Sequence, residues 1–122
     1  MSETALYGPM QVAASRAGAR LFRNHVGVAW QRVSGGEYKP FRIGLATGSG
    51  DLIGWTPVTI TTEMVGRTLA VFTSVEAKLP PWHPTPAWER SEQGLWLKAV
   101  RAAGGIACVA TTPAECAAGL RL

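Results

Sequence analysis

Cysteine is scarce in this chain of 122 residues: Cys108 and Cys116 are the only two, and His25 and His83 are the only histidines. No CxxC or other zinc-ligand spacing joins them, which argues against a zinc site and leaves the thiols as reduced packing groups. No uninterrupted apolar run approaches the roughly 18 residues of a membrane span, and Glu3 stands where a secretory signal carries Lys or Arg. The expectation is a soluble intracellular protein with no membrane partner. Charge is thin at 16% of residues, against 47% hydrophobic, so the composition is that of a folded globule and not of a disordered chain. No internal repeat or low-complexity tract occurs. The length suits a single domain spanning residues 1–122.

The charge that is present is unevenly placed. Residues 1–50 hold Arg16, Arg20, Arg23, Arg32, Lys39 and Arg42 against only Glu3 and Glu37, whereas the remainder balances six bases with six acids. The whole net charge of +4 therefore lies in the first half, which suggests one face built for an anionic partner such as nucleic acid.

Periodicity predicts a first helix over Glu3 to Ala17 with Ser2 as its N-cap, kinked or split at Gly8-Pro9. Short strands follow at Arg20 to Asn24 and Val26 to Val33, and Ser34-Gly35-Gly36 turns the chain back through Tyr38 to Ile43. A glycine-rich stretch, Gly48-Ser49-Gly50-Asp51-Leu52-Ile53-Gly54, brackets one carboxylate. Leu52 to Ile60 reads as a strand broken by Pro57, and Thr68 to Lys78 as the strongest strand of the chain. Leu79 to Trp88, with four prolines and two tryptophans, reads as a stiff loop whose rings either cover the protein's own apolar surface or stack on unpaired bases. A helix ending at Gly104-Gly105 has two credible N-caps, Thr85 and Ser91. Ile106 to Ala110 is a short strand, and Thr112-Pro113-Ala114-Glu115 opens a final helix with a capping box. Trp30, Trp55 and Trp96 are expected in the core. The order gives a mixed α/β fold of the α+β kind, a small mixed β-sheet flanked by helices.

The chemistry concentrates in Asp51 and Glu76-Ala77-Lys78. Residues two apart on a strand share a face, so Glu76 and Lys78 project together, while Val75, Ala77 and Leu79 point the other way. From spacing alone two readings stand: an ion pair at a strand end, or the two carboxylates and lysine of metal-assisted phosphodiester hydrolysis.

Three further stretches bear on that choice. Leu21 to Gly27, Arg42-Ile43-Gly44-Leu45 with Gly48 to Gly54, and Val100 to Gly105 occur in order around Glu76-Ala77-Lys78, with Gln93 ahead of the closing helix. Together they resemble the signature blocks of the virus-type replication-repair nuclease (VRR-NUC) domain over essentially the whole chain. The resemblance implies a PD-(D/E)XK restriction-endonuclease-like core. It also implies a metal-dependent DNA endonuclease, using Mg²⁺ or Mn²⁺, that acts on branched DNA such as four-way junctions or flaps in phage or bacterial replication and repair, in the bacterial cytoplasm. It places Asp51, Glu76, Lys78 and Gln93 in the catalytic centre. Glu3, Asp51, Glu76 and the carbonyl of Ala77 become metal ligands, and Arg23, Asn24, His25, Arg42 and Ser49 become DNA contacts. His25 stands where the family usually has a second Asn. One short domain has room for one site, so paired cuts in a junction call for a homodimer. The alternative from another class is a nucleic-acid-binding module with the nuclease fold and no turnover.

Overall fold

The computed structural model describes residues 2–121. The chain is a mixed α/β protein whose elements fall into two compact units, residues 1–56 and 57–122.

The first unit opens with helix α1, Thr4–Arg16. Ser2 Oγ accepts the Ala5 N–H at 3.3 Å, satisfying one orphan donor of the first turn. The helix is not split at Gly8-Pro9 but runs through Pro9. Proline clashes with the Cβ of the residue before it, and Gly8 has none; the carbonyl that Pro9 leaves without its donor belongs to Ala5, which is exposed to water. Strand β1, Arg20–Arg23, pairs antiparallel with β4, Leu52–Trp55. Between them β2, Gly27–Arg32, and β3, Tyr38–Ile43, form an antiparallel hairpin with Trp30 opposite Pro40 and Arg32 opposite Tyr38. Val33 N–H to Glu37 C=O at 2.8 Å closes it across the Ser34-Gly35-Gly36 turn. Phe22 and Trp55 pack ring to ring at 5.2 Å. Trp30 and Trp96 depart from the expected core placement: they are 65% and 37% exposed.

The second unit is built on a parallel pair. After a 3₁₀ turn at Thr62–Met64, β5, Thr73–Ala77, runs parallel to β6, Ile106–Ala110. A parallel pair needs a crossover, which here is made by α2, Pro86–Glu89, and α3, Glu92–Ala102. Helix α4, Pro113–Gly119, closes the chain against β6. The expected strand from 68 to 78 shortens to β5 because its partner β6 is five residues long, and a strand lasts only as long as its ladder. Both candidate caps are used: Thr85 Oγ1 accepts from Trp88 N and starts α2, and Ser91 Oγ accepts from Gly94 N and starts α3. Gly105 N–H bonds Val100 C=O at 2.9 Å and Gly104 N–H bonds Arg101 C=O at 3.0 Å, a Schellman closure that requires the left-handed φ of +96° at Gly104. That closure buries Val100 completely, and with Ala107 and Ala110 it forms the core of this unit. Among the described residues the strands pair two by two and do not join in the one sheet expected. Cys108 and Cys116 are free thiols.

Candidate functional site

Strand β5 carries an inverted pattern. Its polar residues Ser74 and Glu76, with Lys78 just beyond, are half-buried, while Val75 is 40% exposed and Leu79 is 89% exposed. Helix α3 explains the inversion, because it lays its N-terminal turns over the polar face: Trp96 Nε1 donates to Ser74 Oγ at 2.9 Å and Gln93 Nε2 donates to Glu76 Oε1 at 2.8 Å. Glu76 and Lys78 do share one face, as period two requires.

Gln93 is the hub of this cluster. Its Oε1 accepts from Lys78 Nζ at 2.8 Å and from Trp88 Nε1 at 3.1 Å. Lys78 Nζ also lies 3.5 Å from Glu76 Oε1, with the two side chains 24% and 36% exposed. Both contacts of Glu76 fall on Oε1, so Oε2 stands outside this network. Lysine has three N–H donors, of which Gln93 and Glu76 account for two. Ala77, expected as a backbone ligand, is the last residue of β5 between the two charged side chains. Trp82 and Trp88 stack edge to face at 4.8 Å, so the proline-rich segment folds on itself and delivers the Trp88 N–H to Gln93.

In the first unit Asp51 and Glu3 converge on a residue that sequence reasoning passed over. Tyr7 sits one turn along α1 from Glu3, and Arg23 places its guanidinium 4.2 Å from the ring centre. Partial burial pushes the Tyr7 phenol above its ordinary pKa. The Asp51 charge and a hydrogen bond to Asp51 push the same way, with Glu3 adding a little and Arg23 opposing. The i, i+4 spacing of Glu3 and Tyr7 was the available signal.

Asn24 is the buried polar residue here, at 6% exposed. Its Nδ2 donates to Ser49 Oγ and to Gly50 C=O, both at 2.8 Å, and its Oδ1 accepts the Leu45 N–H at 3.0 Å. Its own N–H bonds Asp51 C=O at 2.9 Å. The amide and the Ser49 hydroxyl thus lock the glycine-rich loop and fix the backbone of Asp51. Gly44 completes the lock: at φ +79° it passes so close to His25 that a Cβ would stand 2.5 Å from the His25 carbonyl oxygen. Arg42 donates to Thr47 Oγ1 at 2.8 Å, on the same loop. Arg23, His25 and Arg42 are exposed.

Carboxylate oxygens are hard donors suited to Mg²⁺, which takes one or two of them and completes its shell with water and substrate phosphate. Asp51 in the first unit and Glu76 in the second each carry oxygens of that kind. Among the described residues no three His, Cys, Asp or Glu side chains gather as a cage made wholly of protein. No helix among them is long and apolar enough to cross a membrane.

Comparisons of the chain with protein-family models, with curated proteins and with solved structures gave no match.

Proposed function

We propose that the chain is a metal-dependent DNA endonuclease of the PD-(D/E)XK kind, resembling VRR-NUC proteins, and that Glu76, Lys78 and Gln93 form its hydrolytic centre. The observation that carries this reading is the Gln93 amide, which holds a carboxylate and an ammonium at 2.8 Å each on one exposed edge. A structural ion pair needs no third residue to orient it. A centre that must present one carboxylate oxygen to a metal and one ammonium proton to a water does.

The resemblance, and not the placement of the side chains, assigns metal binding to Glu76 and Asp51, with Glu3 and the Ala77 carbonyl as further oxygen donors. When bound, Mg²⁺ or Mn²⁺ polarises the scissile phosphate and acidifies a water. The protein's part is orientation and charge. Glu76 Oε2 is the oxygen not engaged by Gln93 or Lys78 and would be the one free to hold a metal. The third N–H of Lys78 would hold the attacking water, and its charge would offset the negative charge that develops on the phosphoryl oxygens. Gln93 keeps Lys78 and Glu76 from collapsing onto each other. Asn24 and Ser49 set the Asp51 backbone, and Arg23, His25 and Arg42 grip flanking phosphates. The substrate is branched DNA, the working form a homodimer, and the setting the cytoplasm of a bacterial cell.

A cleavage assay over single-stranded, duplex, flap and four-way-junction DNA, with and without Mg²⁺, tests the reading. Metal-dependent cuts in branched DNA are expected. Binding without cleavage under every metal condition would instead identify a DNA-binding module that has the fold and lacks turnover. Mass measurement in solution tests the dimer, which a strictly monomeric protein making paired cuts would rule out.

A further inference from the structure

The β2–β3 hairpin has a face of which only Arg42 has been given a role above. Residues directly opposite in an antiparallel pair share a face, so Val28 with Arg42, Trp30 with Pro40, and Arg32 with Tyr38 form one surface. Trp30 is 65% exposed and Tyr38 64%, and they are diagonal neighbours across the ladder, about 7–8 Å apart. Large rings left this open to water are unusual in a chain that hides its other tryptophans better, Trp96 being 37% exposed. Arg32 and Arg42 flank Trp30, and neither forms an ion pair among the described residues. None of these six residues is acidic.

We infer that this face of the hairpin binds an unpaired DNA strand, with Trp30 and Tyr38 stacking on successive bases and Arg32 and Arg42 taking the phosphates between them. The inference rests on the reading of the protein as acting on DNA and names the part of a branched substrate that this surface takes. The ring pair supplies π-faces that any base can use, and the arginines supply the backbone charge, the combination that recognises single strands without regard to sequence. Charge decides against a second copy of the chain on this surface: a two-fold contact of the face with itself would bring Arg32 and Arg42 against their own counterparts with no carboxylate to receive them.

The test is fluorescence anisotropy of the full chain with a labelled oligothymidylate of about 16 nucleotides, in chelator so that no cleavage occurs. Trp30→Ala and Tyr38→Ala, both at exposed positions, are expected to keep the circular dichroism and melting of the parent. Each should weaken binding about 5- to 150-fold with the salt dependence unchanged. Arg32→Ala should instead lower the slope of log affinity against log salt by about 0.7. Failure of the parent to bind, or unchanged affinity in the folded Trp30→Ala/Tyr38→Ala double variant, overturns the inference. So does a double variant that changes only the oligomeric state. Because binding is read in chelator, single-strand binding lost in these variants with no cleavage of any DNA by the parent would sink the nuclease reading and leave this surface standing. Metal-dependent cleavage with ring-independent binding would do the reverse.

Discussion

Gln93 donates to Glu76 through Nε2 while it accepts from Lys78 through Oε1, so a single amide sets the spacing of the two charged groups on β5. Without it nothing opposes direct closure of the 3.5 Å pair. Gln93→Ala should therefore reduce metal-dependent cleavage about 10- to 100-fold, the usual effect of losing a residue that orients a ligand. Melting should barely change, since Gln93 is exposed. Gln93→Glu should be no better, because a carboxylate can no longer donate to Glu76. Cleavage rates against Mg²⁺ concentration read the effect directly.

Asn24→Ala is expected to act through folding. It removes three side-chain hydrogen bonds and strands the Leu45 N–H and the Gly50 carbonyl beside a buried gap. The cost is about 2–4 kcal/mol, measured as a lower urea midpoint. Asn24→Asp should not rescue it, since the two donors to Ser49 and Gly50 are lost.

Tyr7 offers a readout of Asp51 that needs no activity. Its phenol titrates above the ordinary value in the folded protein, so the stability this difference contributes is present below about pH 10 and lost as pH rises through the folded pKa. Phenolate absorbance should show the late-titrating group disappear in Tyr7→Phe. In Asp51→Asn it should move down toward the ordinary value without reaching it, because burial, the larger cause, remains.

Glu115 gives the opposite pH signature. Its Oε2 accepts the Thr111 N–H at 2.7 Å and the Thr111 hydroxyl at 2.8 Å, and these bonds hold its pKa below the ordinary carboxyl value. Its contribution to stability is complete above that ordinary value, about 4.3, and is lost as pH falls through the folded pKa. Glu115→Gln should flatten the acid limb of a stability-against-pH curve.

Local chemistry was the legible part of the fold. Ile106–Ala110, the Ser34-Gly35-Gly36 hairpin and the caps at Thr85, Ser91 and Thr112 follow from turn and capping residues that act within a few positions. What depended on partners was not legible. The length of β5 is set by β6 on another stretch of chain, and the 65% exposure of Trp30 does not follow from its residue type, which favours the core. The same holds for the site. Period two places Glu76 beside Lys78, but only the packing of α3 brings Gln93 and Trp88 to them, and only the fold of the first unit turns Tyr7 toward Asp51.

The most direct test of the central claim is the rate of Mg²⁺-dependent nicking of a four-way junction by Glu76→Ala and Lys78→Ala, with folding checked by circular dichroism. The account predicts that either substitution lowers the rate by at least about 100-fold, since each removes a group acting on the reacting atoms. Full activity in either folded variant would contradict it.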